Sequence, residues 1–290
     1  MNGQILGLLA AICWASAATA YKLGLREMDL LTAVLVRSIF AAAFAIVAAT
    51  FIQGFRWLGV LSYPVVVYAA SSVILILAFG DLLYFAGLKR IGAARAVALS
   101  YSYPVFLLPI SVLLLGETVS TLTVLGTLSV VSGVYFIGVS TKTEDVTLVG
   151  VWKAGILFSL AAAVSWAVGI GLYRMALDYV DALALSAGRM LFLIPFLTIA
   201  RVVTNGRSHL SLGTKRAWAL FAVGGILAVG VGDLMMLLGL SLTEAAVVAP
   251  FLAATPLFSS LLAVALLKER VRSVFLLGVL LVAIGFALLI

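Results

Sequence analysis

Long apolar runs alternate with short polar interruptions along the whole chain. A helix needs roughly 20 apolar residues to cross a bilayer, and charges, turn residues and changes in composition divide the runs at about that length. The pattern predicts ten transmembrane helices, near residues 3–21, 30–51, 63–88, 93–115, 119–139, 153–174, 182–201, 216–240, 244–267 and 271–290. The loops between them are short, and the longest polar stretch, residues 140–145, lies in the middle of the chain.

The composition agrees with this pattern. Of the 290 residues, 65% are hydrophobic and only 10% are charged, against about 45–50% and about 25% in an average soluble domain. A soluble fold of this size cannot hide so much apolar surface, because the fraction of the chain's surface that folding buries levels off at about three-quarters. These values exclude a soluble enzyme, a disordered regulator and a nucleic-acid-binding module. They indicate an all-α polytopic membrane protein whose main partner is the lipid bilayer.

A repeat with an offset of 152 residues runs through the chain without a gap. Rare residues coincide at this offset: Trp14 with Trp166, Arg37 with Arg189, Gly80-Asp81 with Gly232-Asp233, Pro104 with Pro256, and Glu117 with Glu269. Leu, Ala and Val align easily by accident in apolar sequences, whereas Trp, Arg, Asp and Pro do not. We therefore predict two duplicated five-helix units, the first at residues 1–138 and the second at 153–290, joined by a linker at 139–152.

An odd number of helices in each unit would place the second unit upside down relative to the first, as in many secondary transporters. The basic residues fit this inversion. The loops on one predicted side contain Lys22, Arg26, Lys89, Arg90, Arg95, Lys142, Lys153, Arg201, Arg207, Lys215, Arg216, Lys268, Arg270 and Arg272, and those on the other contain only Arg56 and Arg174. The positive-inside rule then predicts that the basic loops are cytoplasmic and both termini extracytoplasmic. We expect the plasma (inner) membrane of a prokaryote, with the formal net charge of +7 acting as an insertion signal.

Two copies of a motif indicate a family. Helices 4 and 5 contain Ser102-Tyr103-Pro104-Val105-Phe106 and Leu113-Leu114-Leu115-Gly116-Glu117, and helices 9 and 10 contain Thr255-Pro256-Leu257-Phe258 and Leu266-Leu267-Lys268-Glu269-Arg270. The chain resembles the EamA-type module of the drug/metabolite transporter superfamily, present twice. The resemblance implies a basket of helices around a central cavity. It also implies export of amino acids or other small metabolites, or exchange of sugar nucleotides and sugar phosphates.

Four ionisable residues lie well inside the predicted spans, where charges are costly and usually functional. Arg37 and Asp81 fall at similar depth from one side, and Arg189 and Asp233 repeat them from the other. We expect two gating ion pairs, one near the cytoplasm and one near the exterior, that form and break in turn. The alternative is a permanent pair that only satisfies buried charge.

Aromatic and hydroxylic side chains near mid-membrane are the candidates for substrate binding. Such side chains give an apolar wall with scattered hydrogen bonds, which suits small organic molecules. The candidates are Trp14, Tyr21, Tyr84, Ser100, Tyr101, Tyr103, Trp166, Tyr173 and Thr255. Ordinary packing between helices is the alternative for each of them. At the helix ends, Glu117 and Glu269 are expected to cap helices 5 and 10.

The favoured function is a secondary transporter for a small amphipathic metabolite, amino-acid-like and exported, that works by alternating access. A lipid-linked or amphiphilic substrate is the alternative, and a membrane scaffold that transports nothing is a weaker one. An intramembrane enzyme is not expected, since the spans contain no HxxxH motif, paired carboxylates or Ser/His constellation. We expect no cofactor and no metal, and a monomer is plausible.

Overall fold

The computed structural model describes residues 2–24, 27–140, 152–205, 213–267 and 273–290. Within these ranges, eight helical stretches are long and apolar enough to cross a membrane, and two shorter apolar helical stretches cover Asn2–Ala18 and Val274–Leu289. The chain is an integral membrane protein built from helices. Several residues named above lie outside the described residues: Arg26, Lys142, Arg207, Lys268, Glu269, Arg270, Arg272 and all of the predicted linker except 139, 140 and 152.

The helices follow the predicted order. The first predicted unit contains α1 (Asn2–Gly24), α2 (Leu30–Gln53), the short α3 (Arg56–Gly59), α4 (Tyr63–Val73), α5 (Asp81–Ser100), α6 (Tyr103–Leu113) and α7 (Thr121–Ser140). The second contains α8 (Trp152–Ala176), α9 (Ala182–Gly188), α10 (Met190–Asn205), α11 (Lys215–Gly225), α12 (Asp233–Leu242), α13 (Ala245–Ala253), α14 (Thr255–Leu267) and α15 (Val274–Leu289). Residues 139, 140 and 152, predicted as linker, are helical.

Two boundaries differ from the prediction. The third span does not end at residue 88 but continues to Gly92, where φ is 79° and ψ is 162°. Glycine adopts a positive φ without the steric cost that a Cβ brings, so the chain turns there without a longer loop. The fourth predicted span is interrupted at Tyr101 and Ser102, just before Pro104, and the ninth at Ala254, just before Pro256.

Wide-turn π-helical segments replace α-helix at two places separated by the 152-residue offset. They cover Ile74–Gly80, between α4 and α5, and Ile226–Gly232, between α11 and α12. Each ends immediately before an aspartate, Asp81 in the first case and Asp233 in the second. One carbonyl of the first segment, that of Leu75, accepts a hydrogen bond of 2.7 Å from the Ser165 hydroxyl of α8. Such π-helical turns frequently occur at functional sites.

The carboxylates at helix ends show which loops meet. Asp29 and Asp181, again 152 residues apart, cap α2 and α9 by accepting backbone N–H bonds. Glu117 does not cap helix 5 as predicted. Its carboxylate accepts bonds of 2.7 and 3.1 Å from the N–H groups of Ala245 and Ala246 at the start of α13. The prediction was wrong because the Glu117 carboxylate binds the start of α13, whereas in the first turn of α7 it is Ser120 Oγ that accepts the N–H of Thr123.

The helices α7 and α15 pack closely through glycines. A Cβ at Gly126 would lie 3.0 Å from the Gly285 carbonyl oxygen, and one at Gly133 would lie 2.6 Å from that of Gly278. Because the pairing runs in opposite directions along the two helices, they are antiparallel. Near the middle of the contact, the Ser129 hydroxyl donates a 2.7 Å hydrogen bond to the Leu281 carbonyl, its own counterpart at the 152-residue offset.

We predict that Gly133→Ala destabilises the protein, since the added methyl group would force two backbones apart. Overpacking of this kind costs about 1–3 kcal/mol. Gly59→Ala is the control, because a Cβ at Gly59 meets nothing within 4 Å. Thermal unfolding of the detergent-purified variants checks this, and an unfolding temperature for Gly133→Ala equal to that of Gly59→Ala would contradict it.

Candidate functional site

The Arg189–Asp233 pair is sealed inside the protein. Arg189 Nη2 lies 2.9 Å from Asp233 Oδ2, and the two side chains are 0% and 6% exposed. Arg189 also donates to the Tyr173 hydroxyl at 2.9 Å and to the Val229 carbonyl at 3.2 Å. That carbonyl belongs to the second π-helical segment, so the irregular backbone supplies one acceptor for the buried guanidinium.

The Arg37–Asp81 pair forms the same contact in the first unit. Arg37 Nη2 bonds Asp81 Oδ2, and the side chains are 11% and 15% exposed. The Arg37 guanidinium also lies 5.7 Å from the centroid of the Tyr21 ring. Both predicted ion pairs are therefore present together, and the first is the more accessible of the two. Asp81 lies 11 residues before the turn at Gly92. It is therefore deeper in the membrane than predicted, since the predicted span ended at residue 88.

Each pair contacts a tryptophan from the other unit. Trp14 Nε1 donates to Asp233 Oδ1 at 2.8 Å and to the Ala228 carbonyl at 3.2 Å. The Trp14 indole lies over Gly232, where a Cβ would come within 3.0 Å of it, and the Trp166 indole lies over Gly80, where a Cβ would come within 2.5 Å. The glycine before each aspartate thus lets the indole approach closely, and at Gly80 a Cβ would collide with it.

The two pairs form one electrostatic cluster. Both pairs contact α1, the first through the Tyr21 ring beside Arg37 and the second through the hydrogen bond from Trp14 to Asp233. Two cations and two anions give the cluster no net charge, which lowers the cost of holding all four inside the membrane. We call Arg37, Asp81, Arg189 and Asp233 the charge cluster.

Four of the predicted substrate residues come together beside this cluster. The Trp166 ring lies 5.5 Å from Tyr84, 5.7 Å from Tyr101 and 6.1 Å from Tyr103, measured between ring centroids. Tyr84 is one helical turn after Asp81 on α5. We call Tyr84, Tyr101, Tyr103 and Trp166 the aromatic cluster. At the 152-residue offset the three tyrosines correspond to Met236, Ala253 and Thr255, so the second unit has no equivalent.

The hydroxyls of three predicted residues bond to backbone carbonyls. Ser100 Oγ donates to the Ser159 carbonyl at 3.1 Å, Tyr103 Oη to that of Ala249 at 3.2 Å, and Thr255 Oγ1 to that of Leu252 at 2.7 Å. All three side chains are buried. These bonds fit the packing alternative that the sequence left open for the three residues. Tyr173 is also fully buried, and its hydroxyl accepts the hydrogen bond from Arg189 described above.

Two surface cavities lie at the end of the molecule where α2 and α8 finish. A cavity of about 340 Å³ is lined by Ile52, Gln53, Arg56, Trp57, Val60 and Asp181. A second, of about 90 Å³, is lined by Tyr68, Leu114, Leu115, Arg174, Met175, Asp178 and Tyr179. None of the predicted substrate residues lines either of them.

The sequence did not reveal the π-helical segments or the role of the glycines beside them. The Gly-Asp dipeptide was visible in both units, as was the tryptophan. The contact between the tryptophan and the glycine was not visible, because it joins distant parts of the chain. Trp14 and Gly232, for example, are 218 positions apart.

Comparisons with known proteins agree with this structure. The profile of the EamA-like transporter family matches residues 1–139 and again residues 153–290. A protein of Archaeoglobus fulgidus named "Uncharacterized transporter" is 24% identical over 293 residues, which cover 98% of this chain and 96% of that protein. A crystal structure with 20% sequence identity superposes with a TM-score of 0.82 over 99% of this chain and 95% of that one, which shows a shared fold.

We predict that Arg189→Met destabilises the protein strongly, because it leaves Asp233 buried without its cation. Breaking a buried pair in this way costs about 3–5 kcal/mol. The double variant Arg189→Met/Asp233→Leu removes both charges and should recover most of the loss. Thermal unfolding in detergent measures both, and wild-type stability of the single variant would show that the pair is not buried as described.

Proposed function

The chain belongs to the EamA-like transporter family, and from this membership we propose that it is a secondary transporter for a small amphipathic, amino-acid-like metabolite. It works by alternating access, in the direction of export. The observation that carries the proposal is the charge cluster, in which two equivalent Arg–Asp pairs differ in accessibility. The 11% and 15% exposure of Arg37 and Asp81 contrasts with the 0% and 6% of Arg189 and Asp233.

The architecture that we propose is ten crossings in two inverted five-helix units, residues 1–138 and 153–290, around a central site. The antiparallel packing of α7 against α15 supports inversion, since these are the last helices of the two units. The hydrogen bond from Ser129 to Leu281 supports it as well, because it joins counterpart residues at the centre of that contact. The paired π-helical segments support the duplication.

The two pairs act as gates in this proposal. With the basic loops in the cytoplasm, α2 begins at the cytoplasmic face, and Arg37 lies about 10 Å along it at 1.5 Å per residue. Arg189 lies equally far along its span from the exterior. The accessible first pair and the sealed second pair then correspond to a conformation closed to the exterior.

Contacts between the units at the outer face support that closed state. Glu117 of the first unit holds the start of α13 through two N–H bonds and lies 3.9 Å from Arg174 Nε of α8. The Thr118 hydroxyl donates to Glu244 Oε1 at 3.2 Å. Opening to the exterior would require these bonds to break, which alternating access predicts for one half of the cycle.

Counterflow in proteoliposomes tests the proposal directly. Purified protein is reconstituted and loaded in turn with amino acids, amines and phosphorylated sugars, and uptake of the labelled form of each compound is recorded. We expect exchange of one or more amino acids and none of the sugar phosphates. No exchange of any compound in the panel would contradict the proposal and favour the lipid-linked substrate.

We predict that Asp81→Asn lowers counterflow at least tenfold, because the first gate loses its anion. The double variant Arg37→Gln/Asp81→Asn leaves no unpaired buried charge, so it separates a transport defect from a folding defect and should also be inactive. Asp178→Asn, an aspartate whose side chain is 61% exposed, is the matched control and should retain counterflow. Counterflow by the double variant at the wild-type rate would contradict a gating role.

A further inference from the structure

The tyrosine–arginine contact differs between the two units. In the second unit the Tyr173 hydroxyl accepts a bond from Arg189 Nη1. In the first, the Tyr21 hydroxyl and Arg37 Nε are both buried without a hydrogen-bond partner, although the guanidinium lies beside the Tyr21 ring. Arg189 Nε is also unpartnered, but both terminal nitrogens of Arg189 are bonded, whereas the bonds found for Arg37 go to Asp81 alone.

Unpartnered buried donors are expensive. A native protein that keeps such groups unbonded calls for an explanation. A guanidinium N–H can only donate, and a phenolic hydroxyl can donate. A ligand that satisfies both must therefore supply acceptor atoms, and beside an arginine the strongest acceptor is a carboxylate.

The Asp81 end of the Arg37–Asp81 pair is suited to a cation rather than to an anion. Asp81 is an anion, and Tyr84, one turn along α5, belongs to the aromatic cluster. Faces of Trp and Tyr rings attract ammonium groups. A ligand cation placed beside Asp81 would thus find both a carboxylate and aromatic rings, while the ligand's own carboxylate is bound a few ångströms away by Arg37 and Tyr21.

We propose that the Arg37–Asp81 pair is the unliganded form of a site for a zwitterion. Arg37 and Tyr21 bind the substrate carboxylate, and Asp81 with the aromatic cluster binds the ammonium group. This rests on the proposed transport function and identifies the part of the molecule that recognises the substrate. When the substrate binds, the Arg37–Asp81 ion pair is replaced by two new ones, between Arg37 and the substrate carboxylate and between Asp81 and the substrate ammonium group. Every charge in the membrane therefore keeps a partner.

The second pair does not share this role. Arg189 is bonded to Tyr173, Val229 and Asp233, its side chain is 0% exposed, and Met236, Ala253 and Thr255 stand where the first unit has tyrosines. The duplicated pairs have therefore diverged: in this proposal the first is a ligand site as well as a gate, and the second is a gate only.

Binding of matched compounds tests the proposal. The probes are phenylalanine and leucine, each compared with its decarboxylated amine, phenethylamine and isoamylamine, by thermal stabilisation of the full chain in nanodiscs. We expect at least one of the two amino acids to bind ten or more times as tightly as its amine. Equal binding of amino acid and amine, or no binding of either amino acid, overturns the inference.

The variant that isolates the carboxylate subsite is Tyr21→Phe. It removes one unpartnered hydroxyl, so we expect unchanged unfolding temperature without ligand, about tenfold weaker amino-acid binding, and unchanged amine binding. Arg37→Lys, which keeps the charge opposite Asp81 but loses the guanidinium donors, should have the same selectivity defect. Tyr135→Phe, at an exposed tyrosine, is the control for the substitution itself.

The outcomes separate the two proposals. Counterflow that is present but insensitive to Tyr21→Phe and Arg37→Lys would mean that water satisfies these donors, which overturns the zwitterion site and leaves transport intact. Absence of counterflow for every compound would instead overturn the proposed function.

Discussion

A charge inside a membrane must be paired, and much of the interior of this protein follows from that constraint. Two arginines lie well inside the spans, and each bonds an aspartate from a neighbouring helix of its own unit. Before each aspartate the helix widens into a π-helical segment, and a glycine leaves room for the indole of Trp166 or Trp14. The paired charges, the irregular backbone and the contact between the units therefore depend on one another.

The two copies of this arrangement differ in how completely they are satisfied. In the second unit, tyrosine, carbonyl and carboxylate oxygens accept hydrogen bonds from both terminal nitrogens of the guanidinium. In the first, a hydroxyl and a guanidinium N–H are left without acceptors beside a group of aromatic rings. In the proposed zwitterion site, this difference lets the first pair exchange its partners for those of the substrate.

The apolar runs were enough to predict the helices, since the bilayer leaves a spanning backbone almost no other structure. They also predicted both ion pairs, because Arg37 and Asp81 fell at similar depth and charges at that depth need partners. Contacts between the units were beyond prediction. Glu117 bonds the start of α13, which its own sequence neighbourhood does not reveal. Nor could the sequence distinguish the bonded Tyr173 from the unpartnered Tyr21, since the two tyrosines stand at matching positions of the 152-residue offset.

Alternating access requires the units to separate at one face at a time, and disulfides across the faces test this most directly. A Cβ at Gly7 would lie 3.3 Å from that of Phe251 near the proposed outer face, and one at Gly155 would lie 3.4 Å from that of Ile91 near the inner face, close to the roughly 3.5–4.5 Å of a disulfide. In a Cys13→Ser background, counterflow is measured for each cysteine pair and its single-cysteine controls. We predict that either disulfide stops counterflow and that a reductant restores it. Full counterflow with either disulfide completely formed would contradict the account.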